Sequence, residues 1–367
     1  MKILYLITGL GGGGAEKVVC DLADNMVKNG HKVKIAYLTG SVIVRPENNS
    51  IELIYLNLNN VSSFYSAFKN YRKILSIFKP DVVHAHMVHA NIFARLSRIF
   101  VKVPRLICTA HSRNEGGRVR MLAYRFTHNL SNITTNVSND ASQNFIKLKA
   151  VPVSGISTVY NGINLNKFNV IDVNNKNIRD EFKISDGAIL FLAVGRFHEA
   201  KDYPNLIAAF STLCKKYNDK NTPILLIAGD GDIGLIEDTK KLILENDLSS
   251  RVILLGRRND ISEIVNSSDF FVLSSKYEGL PTVLIEAMAC KKFIISTDCG
   301  GSSEILGETG ILVPTENSEA LANAMLDALT YSKEEIRLNG LKARKRVEKL
   351  FSLEKSVQNW LELYTND

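Results

Sequence analysis

Short apolar runs alternate with longer amphipathic stretches along the first half of the chain. The runs predict strands at residues 2–8, 32–38, 81–85 and 105–109, and the amphipathic stretches predict helices at 15–29, 63–78 and 90–99. The N-terminal run leads directly into a glycine-rich turn, so we interpret it as a first strand and not as a signal peptide. Such alternation is typical of a parallel, doubly wound α/β sheet.

The second half repeats this order after a polar stretch. Apolar runs predict strands at residues 189–194, 223–228, 252–255, 270–273 and 293–296, and helices are predicted at 203–216, 235–245 and 261–267. The polar stretch VIDVNNKNIRDEF, residues 170–182, has no apolar period and indicates a domain boundary. We therefore expect domains at 1–170 and 171–350, and a terminal helix within 351–367 that carries the single tryptophan, Trp360.

The block SSKYEGLPTVLIEAMAC, residues 274–290, is the most informative part of the chain. Pro281 suits the first turn of a helix, and the free N–H groups at a helix start attract phosphate. Glu286 lies between apolar neighbours, where a buried carboxylate needs a polar partner such as a ligand hydroxyl. With Glu278 just before the Gly-Leu-Pro turn, the block predicts a site for a phosphorylated, hydroxyl-rich ligand.

A basic loop follows the predicted strand at 189–194. It places Arg196 and Lys201 at the carboxyl edge of the sheet, where open α/β sheets bind ligands. A guanidinium fork and an ammonium group together suit a diphosphate, and a surface ion pair is the alternative. Gly256 and Arg257 close a later strand, so we expect them near a nucleotide base.

The turn at residues 8–14 has the spacing GxGxxG at Gly9, Gly11 and Gly14. A dinucleotide-binding turn also needs an acidic residue at the end of the second strand, and the sequence there, Tyr-Leu-Thr-Gly, has none. Three interpretations follow: nicotinamide binding, a tight turn that needs glycine only for its conformation, and close approach of another ligand to the backbone. We favour the third.

Four histidines require separate interpretations. His111 follows the predicted strand at 105–109 and should face the ligand-binding edge, with a purely structural histidine as the alternative. His84, His86 and His89 have the spacing H-x-H-x-x-H, and strand alternation puts the first two on one face. No nearby carboxylate or cysteine completes a ligand set, so we expect no metal there.

The formal net charge is +7, which fits phosphorylated ligands, an anionic membrane surface or nucleic acid. The segment FYSAFKNYRKILSIF, residues 64–78, predicts either a core-facing helix with a solvated basic face or a helix that contacts an anionic membrane. A second basic and apolar patch consists of Arg113, Arg118, Arg120, Arg125, Met121 and Leu122. No run approaches the about 20 apolar residues of a membrane span. Five cysteines without a CxxC pair favour a cytoplasmic protein.

These motifs together make the chain resemble the retaining glycosyltransferases of family 4, over almost its whole length. The resemblance rests on the glycine-rich first turn, His111, Val159-Tyr160-Asn161-Gly162-Ile163, Gly195-Arg196 with Lys201, Ala228-Gly229-Asp230-Gly231, and the E-x7-E motif of Glu278 and Glu286. It implies the α/β GT-B fold, in which two Rossmann-like, doubly wound domains face each other across a cleft. It also implies that the C-terminal helix crosses back to the first domain.

The resemblance further implies residue roles. Arg196 and Lys201 would hold the donor diphosphate and Glu286 the ribose, while Glu278 and His111 would flank the donor sugar. The implied catalytic residues are Glu278, His111, Arg196 and Lys201; the implied donor-binding residues are Arg196, Lys201, Gly256, Arg257, Glu278, Gly279, Leu280, Pro281, Thr282, Val283 and Glu286; and the implied phosphate or acceptor loop is Gly12, Gly13 and Gly14. No cofactor and no metal would be needed.

We therefore expect transfer of a hexose or N-acetylhexosamine from a nucleotide-diphosphate sugar, with UDP favoured, to a polyprenyl-diphosphate-linked or other glycan acceptor of a bacterial surface polysaccharide. The partners would be nucleotide sugar, glycan acceptor and an anionic membrane surface, but no nucleic acid. The protein would be cytoplasmic, with peripheral attachment to the inner face of the cytoplasmic membrane as a further expectation. The alternatives are a nucleotide-sugar epimerase or hydrolase, a nicotinamide-dependent oxidoreductase, and a non-catalytic binder of sugar nucleotides.

Overall fold

The computed structural model describes residues 1–170, 176–219 and 221–365 of the chain. The chain forms two compact units, Met1–Gly162 with Phe351–Asp367, and Ile163–Leu350. The first break therefore lies earlier than the expected boundary at residue 170. Phe168 explains the difference, because its side chain is buried and its carbonyl accepts a 2.8 Å hydrogen bond from Arg344 within the second unit. Residues 171–175 of the polar stretch lie outside the described residues.

A seven-stranded parallel sheet forms the centre of the first unit. Its strands are β1 Lys2–Ile7, β2 Lys32–Tyr37, β3 Glu52–Tyr55, β4 Val82–His86, β5 Arg105–Ala110, β6 Ile133–Asn136 and β7 Ile156–Thr158. The strand order is β3-β2-β1-β4-β5-β6-β7. The order reverses between β1 and β4, and ligands bind at the carboxyl ends of the strands at such a reversal.

Both faces of β1 are buried. Ile3, Tyr5 and Ile7 pack into one apolar cluster, and Leu4 and Leu6 pack into the cluster on the opposite face. A strand covered by helices on both sides has no polar face, and for this reason β1 is a continuous apolar run in the sequence.

Five helices between residues 14 and 147 cover this sheet. They are α1 Gly14–Lys28, α2 Phe64–Phe78, α3 Val88–Ser97, α4 Arg118–Thr127 and α5 Asn139–Lys147. Ala67, Tyr71 and Leu75 of α2 are buried in the core, which confirms the core-facing interpretation of that helix. Phe64 and Tyr65, at its start, are exposed.

The second unit is built on a six-stranded parallel sheet. Its strands are β8 Ile189–Val194, β9 Pro223–Ala228, β10 Val252–Gly256, β11 Phe270–Leu273, β12 Phe293–Thr297 and β13 Ile311–Val313. The strand order is β10-β9-β8-β11-β12-β13, so the order reverses between β8 and β11. The loops that follow β8 and β11 therefore occupy the position at which such sheets bind ligands.

Eight helices surround the second sheet. They are α6 Lys176–Glu181, α7 Tyr203–Lys216, α8 Ile233–Glu245, α9 Ile261–Ser267, α10 Thr282–Ala289, α11 Ser302–Leu306, α12 Ser318–Ala328 and α13 Lys333–Leu350. Phe191, Phe210, Leu225, Val272 and Ile295 belong to one apolar core in this unit.

The last helix, α14 Leu353–Thr365, belongs to the first unit. Trp360 is buried there in the same apolar cluster as Ile3 and Val19. The Arg105 guanidinium donates a 2.7 Å hydrogen bond to the carbonyl of Leu363. Within the described residues, no helix combines the length and the apolar character needed to cross a membrane.

Candidate active site

The loops after β8 and β11 are joined at the strand reversal of the second sheet. The Lys276 N–H donates a 2.8 Å hydrogen bond to the Ala200 carbonyl, and the Ser274 hydroxyl donates a 2.7 Å bond to the Lys201 carbonyl. The structure thus brings together the predicted basic loop and the block that contains Glu278. The two loops form the core of the candidate site.

A charged pair links these two loops. The Lys201 ammonium lies 2.6 Å from the Glu278 carboxylate, and both side chains are less than one-fifth exposed, at 17% and 19%. The Ser275 hydroxyl donates a 2.9 Å bond to the same carboxylate oxygen, Oε1. An ion pair in such a mostly buried place is stronger than one in water and holds its groups in a fixed geometry.

Gly195 makes room for the Lys201 side chain. A Cβ atom at Gly195 would lie 2.7 Å from Cε of Lys201, so any larger residue would displace the lysine. The Tyr203 hydroxyl donates a 2.7 Å bond to the Gly195 carbonyl and fixes this turn. Glycine at this position is therefore part of what places the ammonium group next to Glu278.

Arg196 has a different environment from Lys201. Its side chain is exposed, and within the described parts of the chain no acceptor hydrogen-bonds or ion-pairs with its guanidinium. It lies on the same loop as Lys201, directly after Gly195. A guanidinium with no protein partner is available to an anionic ligand, and its fork geometry suits phosphate oxygens.

The start of α10 lies next to Glu278. The helix begins at Thr282, and Pro281 occupies the N-cap position instead of the predicted place in the first turn. No side chain caps this start, and no described group accepts from the N–H of Thr282 or Val283. The Gly301 N–H donates a 3.2 Å bond to the Gly279 carbonyl, which anchors the preceding loop. Two backbone donors and the helix dipole thus face an open position.

Glu286 lies on α10 and is 8% exposed, as its apolar neighbours predicted. Leu280, in the loop before the helix, is also buried. Gly256 ends β10 and Arg257 follows it, and both are exposed. The next residue, Arg258, is paired with Glu181 at 2.6 Å and Asp260 at 2.7 Å, so the two neighbouring arginines differ in their contacts. Arg258 stabilises the unit, whereas Arg257 is available to a ligand.

The glycine turn of the first unit leads from β1 into α1. Gly12 has a φ of 96°, a conformation that favours glycine, and α1 begins at Gly14, one residue earlier than predicted. The Glu16 carboxylate folds back over Gly13 so closely that a Cβ atom there would collide with it. The turn therefore presents a carboxylate next to Gly13, which the sequence did not indicate.

His111 follows β5 and is bound to a second histidine. Its Nε2 lies 3.0 Å from Nδ1 of His86, and its backbone N–H donates a 2.9 Å bond to the Glu115 carboxylate. Burial lowers the pKa of His111 to about 4 and the pKa of His86 well below its usual range. His111 is therefore a neutral imidazole at physiological pH.

His84 and His86 lie on the same face of β4, as predicted, with ring centroids 3.9 Å apart. His84 bonds to the Tyr364 hydroxyl at 2.7 Å and to the Thr109 hydroxyl at 2.6 Å. These are protein partners, and no group of three His, Cys, Asp or Glu side chains in the described residues could hold a metal ion. His89, on α3, is exposed and does not join the pair.

Two family models match consecutive parts of this chain. The model described as Glycosyltransferase Family 4 matches residues 12–167, and the model described as Glycosyl transferases group 1 matches residues 174–346. Together they cover both structural units. The chain belongs to glycosyltransferase family 4. The resemblance seen in the motifs is confirmed, and the nicotinamide interpretation of the glycine turn loses its basis.

Curated relatives of this family 4 glycosyltransferase have comparable length. The N-acetyl-alpha-D-glucosaminyl L-malate synthase of Bacillus anthracis is 26% identical, and the match covers 96% of this chain and 93% of that protein. The UDP-Gal:alpha-D-GlcNAc-diphosphoundecaprenol alpha-1,3-galactosyltransferase of Escherichia coli is also 26% identical, over 81% of this chain and 80% of that protein.

The fold of the transferase is also found in solved structures. The crystal structure of Anabaena Alr3699/HepE in complex with UDP has a TM-score of 0.85, with 18% identity and 99% of each chain covered. This likeness shows the fold, and the expected GT-B class with two parallel-sheet Rossmann-like domains is confirmed.

Three side-chain contacts of the transferase became apparent only in the three-dimensional structure. Ser275, His86 and Glu16 contact Glu278, His111 and Gly13, respectively. Ser275 lies within the block at residues 274–290, so its contact with Glu278 could have been predicted from the sequence. No sequence signal pairs His86 with His111, because the contact depends on the register between β4 and β5.

Proposed function

We propose that this transferase retains anomeric configuration and moves a hexose or N-acetylhexosamine from a nucleotide-diphosphate sugar, with UDP favoured, to a lipid-linked glycan in surface-polysaccharide synthesis. The observation that carries the proposal is the Lys201–Glu278 pair next to exposed Arg196 and the uncapped start of α10. The name of the Escherichia coli relative, which contains both UDP-Gal and a diphosphoundecaprenol acceptor, supports the donor and the acceptor class.

The cations of the second unit suit a diphosphate leaving group. When the bond between sugar and diphosphate breaks, negative charge grows on the diphosphate and positive character on the sugar. Arg196, Lys201 and the N–H groups of Thr282 and Val283 offer donors to that negative charge before the reaction begins. These donors stabilise the leaving group, so the proposed reaction needs no metal ion.

Glu278 is proposed to contact the donor sugar. Its carboxylate pairs with Lys201 through Oε1, and its oxygens can accept hydrogen bonds from sugar hydroxyls while the lysine faces the phosphates. The same pairing reduces its strength as a nucleophile, because Lys201 and Ser275 already share Oε1. This supports front-face attack, in which the departing phosphate takes the acceptor proton, over a covalent intermediate on Glu278.

Three other residues complete the proposed donor site. Glu286, buried on α10, would accept hydrogen bonds from the ribose hydroxyls, as the resemblance implies. Gly256 and Arg257 would border the nucleotide base, because both are exposed at the end of β10. For His111 we keep the contact with the donor sugar that the resemblance implies, as a neutral hydrogen-bonding group and not as a cation.

The glycine turn is proposed to contact the acceptor. Of the two ligands considered for Gly12, Gly13 and Gly14, phosphate would meet the Glu16 carboxylate, whereas an acceptor hydroxyl could donate to it. The turn lies at the strand reversal of the first sheet, where a ligand is expected. These two observations favour the acceptor.

A basic surface on the first unit supports a membrane-bound acceptor. Between residues 61 and 139 the only acidic residues are Asp81 and Glu115, and Glu115 is buried. On α4, Val119, Leu122 and Phe126 expose apolar side chains among arginines. Positive charge with exposed apolar residues suits the interface of an anionic membrane, so we propose peripheral attachment there.

The product of a transfer reaction tests the proposal. Purified protein would be incubated with UDP-, GDP- or ADP-sugars and a polyprenyl-diphosphate-linked sugar in EDTA, and NMR would give the configuration of the new linkage. We expect transfer from a UDP-sugar with the donor's configuration. An inverted product contradicts retention, and loss of transfer in EDTA that Mg²⁺ restores contradicts metal independence. Donor turnover at the same rate without acceptor indicates a hydrolase or epimerase instead.

A further inference from the structure

An open apolar cleft lies on the first unit, bordered by α2, α3 and α4. Its volume is about 660 Å³, within the range of small-molecule sites. Its apolar lining includes Leu38, Leu58, Phe64, Ile92, Phe93 and Leu96. Ile92, Leu58 and Leu96 are only partly buried, so the cleft exposes apolar surface that the fold leaves uncovered. Such contiguous surface marks a binding site.

The polar side chains that line this cleft include the Arg120 guanidinium. Arg120 and His89 line it, together with the side-chain amides of Asn59 and Asn60, and none of its lining residues in the described chain is acidic. Arg120 donates a 2.8 Å hydrogen bond through Nη1 to the Glu115 carbonyl, which holds its guanidinium at the cleft. The ligand that fits is apolar along most of its length and anionic at one end.

We propose that this cleft binds the first isoprene units of a polyprenyl diphosphate, with Arg120 and His89 at the diphosphate end. The inference rests on the proposed function, since it assigns a site to the lipid of the lipid-linked acceptor. Branched isoprene units match a lining of leucine, isoleucine and phenylalanine, and the guanidinium fork matches a diphosphate.

Two positions support this occupant. Thr8 lines the cleft and begins the glycine turn that is proposed to contact the acceptor, so cleft and turn are continuous within one unit. Val119, 80% exposed, also lines the cleft and belongs to the apolar surface of α4. A chain held in the cleft can therefore leave along α4, where the membrane contact is proposed. A compact apolar ligand would not need this exit.

Isothermal titration with farnesyl diphosphate, farnesol and inorganic diphosphate tests the site. The variants are Ala123→Trp, which fills the cleft, and Val119→Asp, which puts a like charge at its rim. Val153→Asp is the control, because Val153 is also exposed (72%) on the first unit but does not line the cleft. Val119 is so exposed that its replacement leaves the core intact, even if Ala123→Trp perturbs folding.

We expect wild type and Val153→Asp to bind farnesyl diphosphate equally, and Val119→Asp and Ala123→Trp to bind it at least about tenfold more weakly. Arg120→Ala should weaken the binding of farnesyl diphosphate but not the binding of farnesol. No binding to wild type, or equal binding by wild type and Val119→Asp, overturns the inference. UDP titrated into the same proteins separates the two proposals. If UDP binds and farnesyl diphosphate does not, only the proposed lipid site in the cleft is contradicted. If UDP does not bind, the proposed donor site is contradicted.

Discussion

The ammonium nitrogen of Lys201 lies 2.6 Å from Oε1 of Glu278, across 77 positions of sequence. The two residues come from the loops after β8 and β11, so the contact exists only because the strand order reverses between these strands. The pair is formed without ligand. Folding therefore already places a cation for the diphosphate next to a carboxylate for the sugar. Ligand binding needs no further free energy to arrange these two groups.

The pair should affect both catalysis and stability. We expect Lys201→Met to lower kcat/KM by about 10²-fold or more, because a donor to the leaving diphosphate is lost. In a double-mutant cycle with Glu278→Gln, the free energies of unfolding should show a coupling of about 0.5–3 kcal/mol. Urea denaturation and initial rates measure the two quantities. A coupling near zero together with normal rates for both single variants would show that the contact has neither role.

Arg196 should affect binding without affecting stability. Because its guanidinium is exposed, Arg196→Ala should change the free energy of unfolding by no more than about 0.5 kcal/mol. Affinity for a nucleoside diphosphate should fall about tenfold or more, with a charge-assisted hydrogen bond lost. Lys240→Ala, an exposed lysine paired only with Glu237 on α8, is the control. Unchanged affinity in Arg196→Ala would remove this residue from the donor site.

Three histidines with lowered pKa values should make the protein less stable in acid. The pKa of His111 is about 4 in the folded state because of burial, below the usual value of 6.5. Between these values the unfolded state binds more protons, so stability is complete above pH 6.5 and falls as the pH decreases towards 4. His84 and His86 act in the same direction. Melting temperatures from pH 8 to 4.5 would show the loss, and NMR should find His111 neutral at pH 6. A His111 that titrates near 6.5 would contradict this.

His86 should determine the tautomer of His111. Nε2 of His86 is buried without a partner in the described residues, and an unpaired N–H there costs more than an unpaired lone pair. We therefore expect His86 to carry its proton on Nδ1 and donate to Nε2 of His111, which leaves His111 with its proton on Nδ1.

Nitrogen chemical shifts of labelled histidine measure this tautomer directly. In His86→Phe we expect a roughly even mixture of His111 tautomers and about twofold lower kcat, since only about half of the population would carry the proton on Nδ1. His31→Phe is the control, because His31 contacts the N-terminal amine of Met1 and neither belongs to the pair nor lines the cleft. A His111 proton found on Nε2 in the wild type would refute the assignment.

The apolar residues of α4 should control membrane binding. Phe126→Glu should abolish flotation with vesicles of phosphatidylethanolamine and phosphatidylglycerol, because Phe126 is 81% exposed next to Arg125. Ile233→Glu is the matched control, an equally exposed residue (77%) on the second unit. Binding of the wild type should weaken at high salt. If the wild type does not bind at low salt, the membrane proposal fails.

Elements with strong apolar periodicity could be predicted from the sequence, and weakly apolar elements could not. β1 and β8 were predicted because both of their faces are buried, which produces continuous apolar runs. β6, with the sequence ITTN, has no such run and forms because β5 and β7 pair with it on either side. On α12, alanine provides much of the buried surface, which is too weak a signal to detect by pattern.

The sequence indicated candidate residues for the site but not which of them contact each other. Arg196, Lys201, Glu278 and Glu286 were identified because their neighbours gave them positions on loops or helices. Side-chain geometry determines that Lys201 contacts Glu278 while Arg196 has no described partner. It also determines the room that Gly195 provides for the lysine. Spacing along a chain carries no information about such packing, because the two loops are distant in sequence.

The placement of α14 has a consequence for synthesis of the protein on the ribosome. Trp360 fills the apolar cluster beneath β1, and the hydroxyl of Tyr364 bonds to His84, yet both residues are translated after the whole second unit. Domains usually fold in the order in which they are made. Here the first unit emerges first but lacks a helix of its own core until α14 has been translated. The second unit can therefore complete its core earlier, although its sequence is made later.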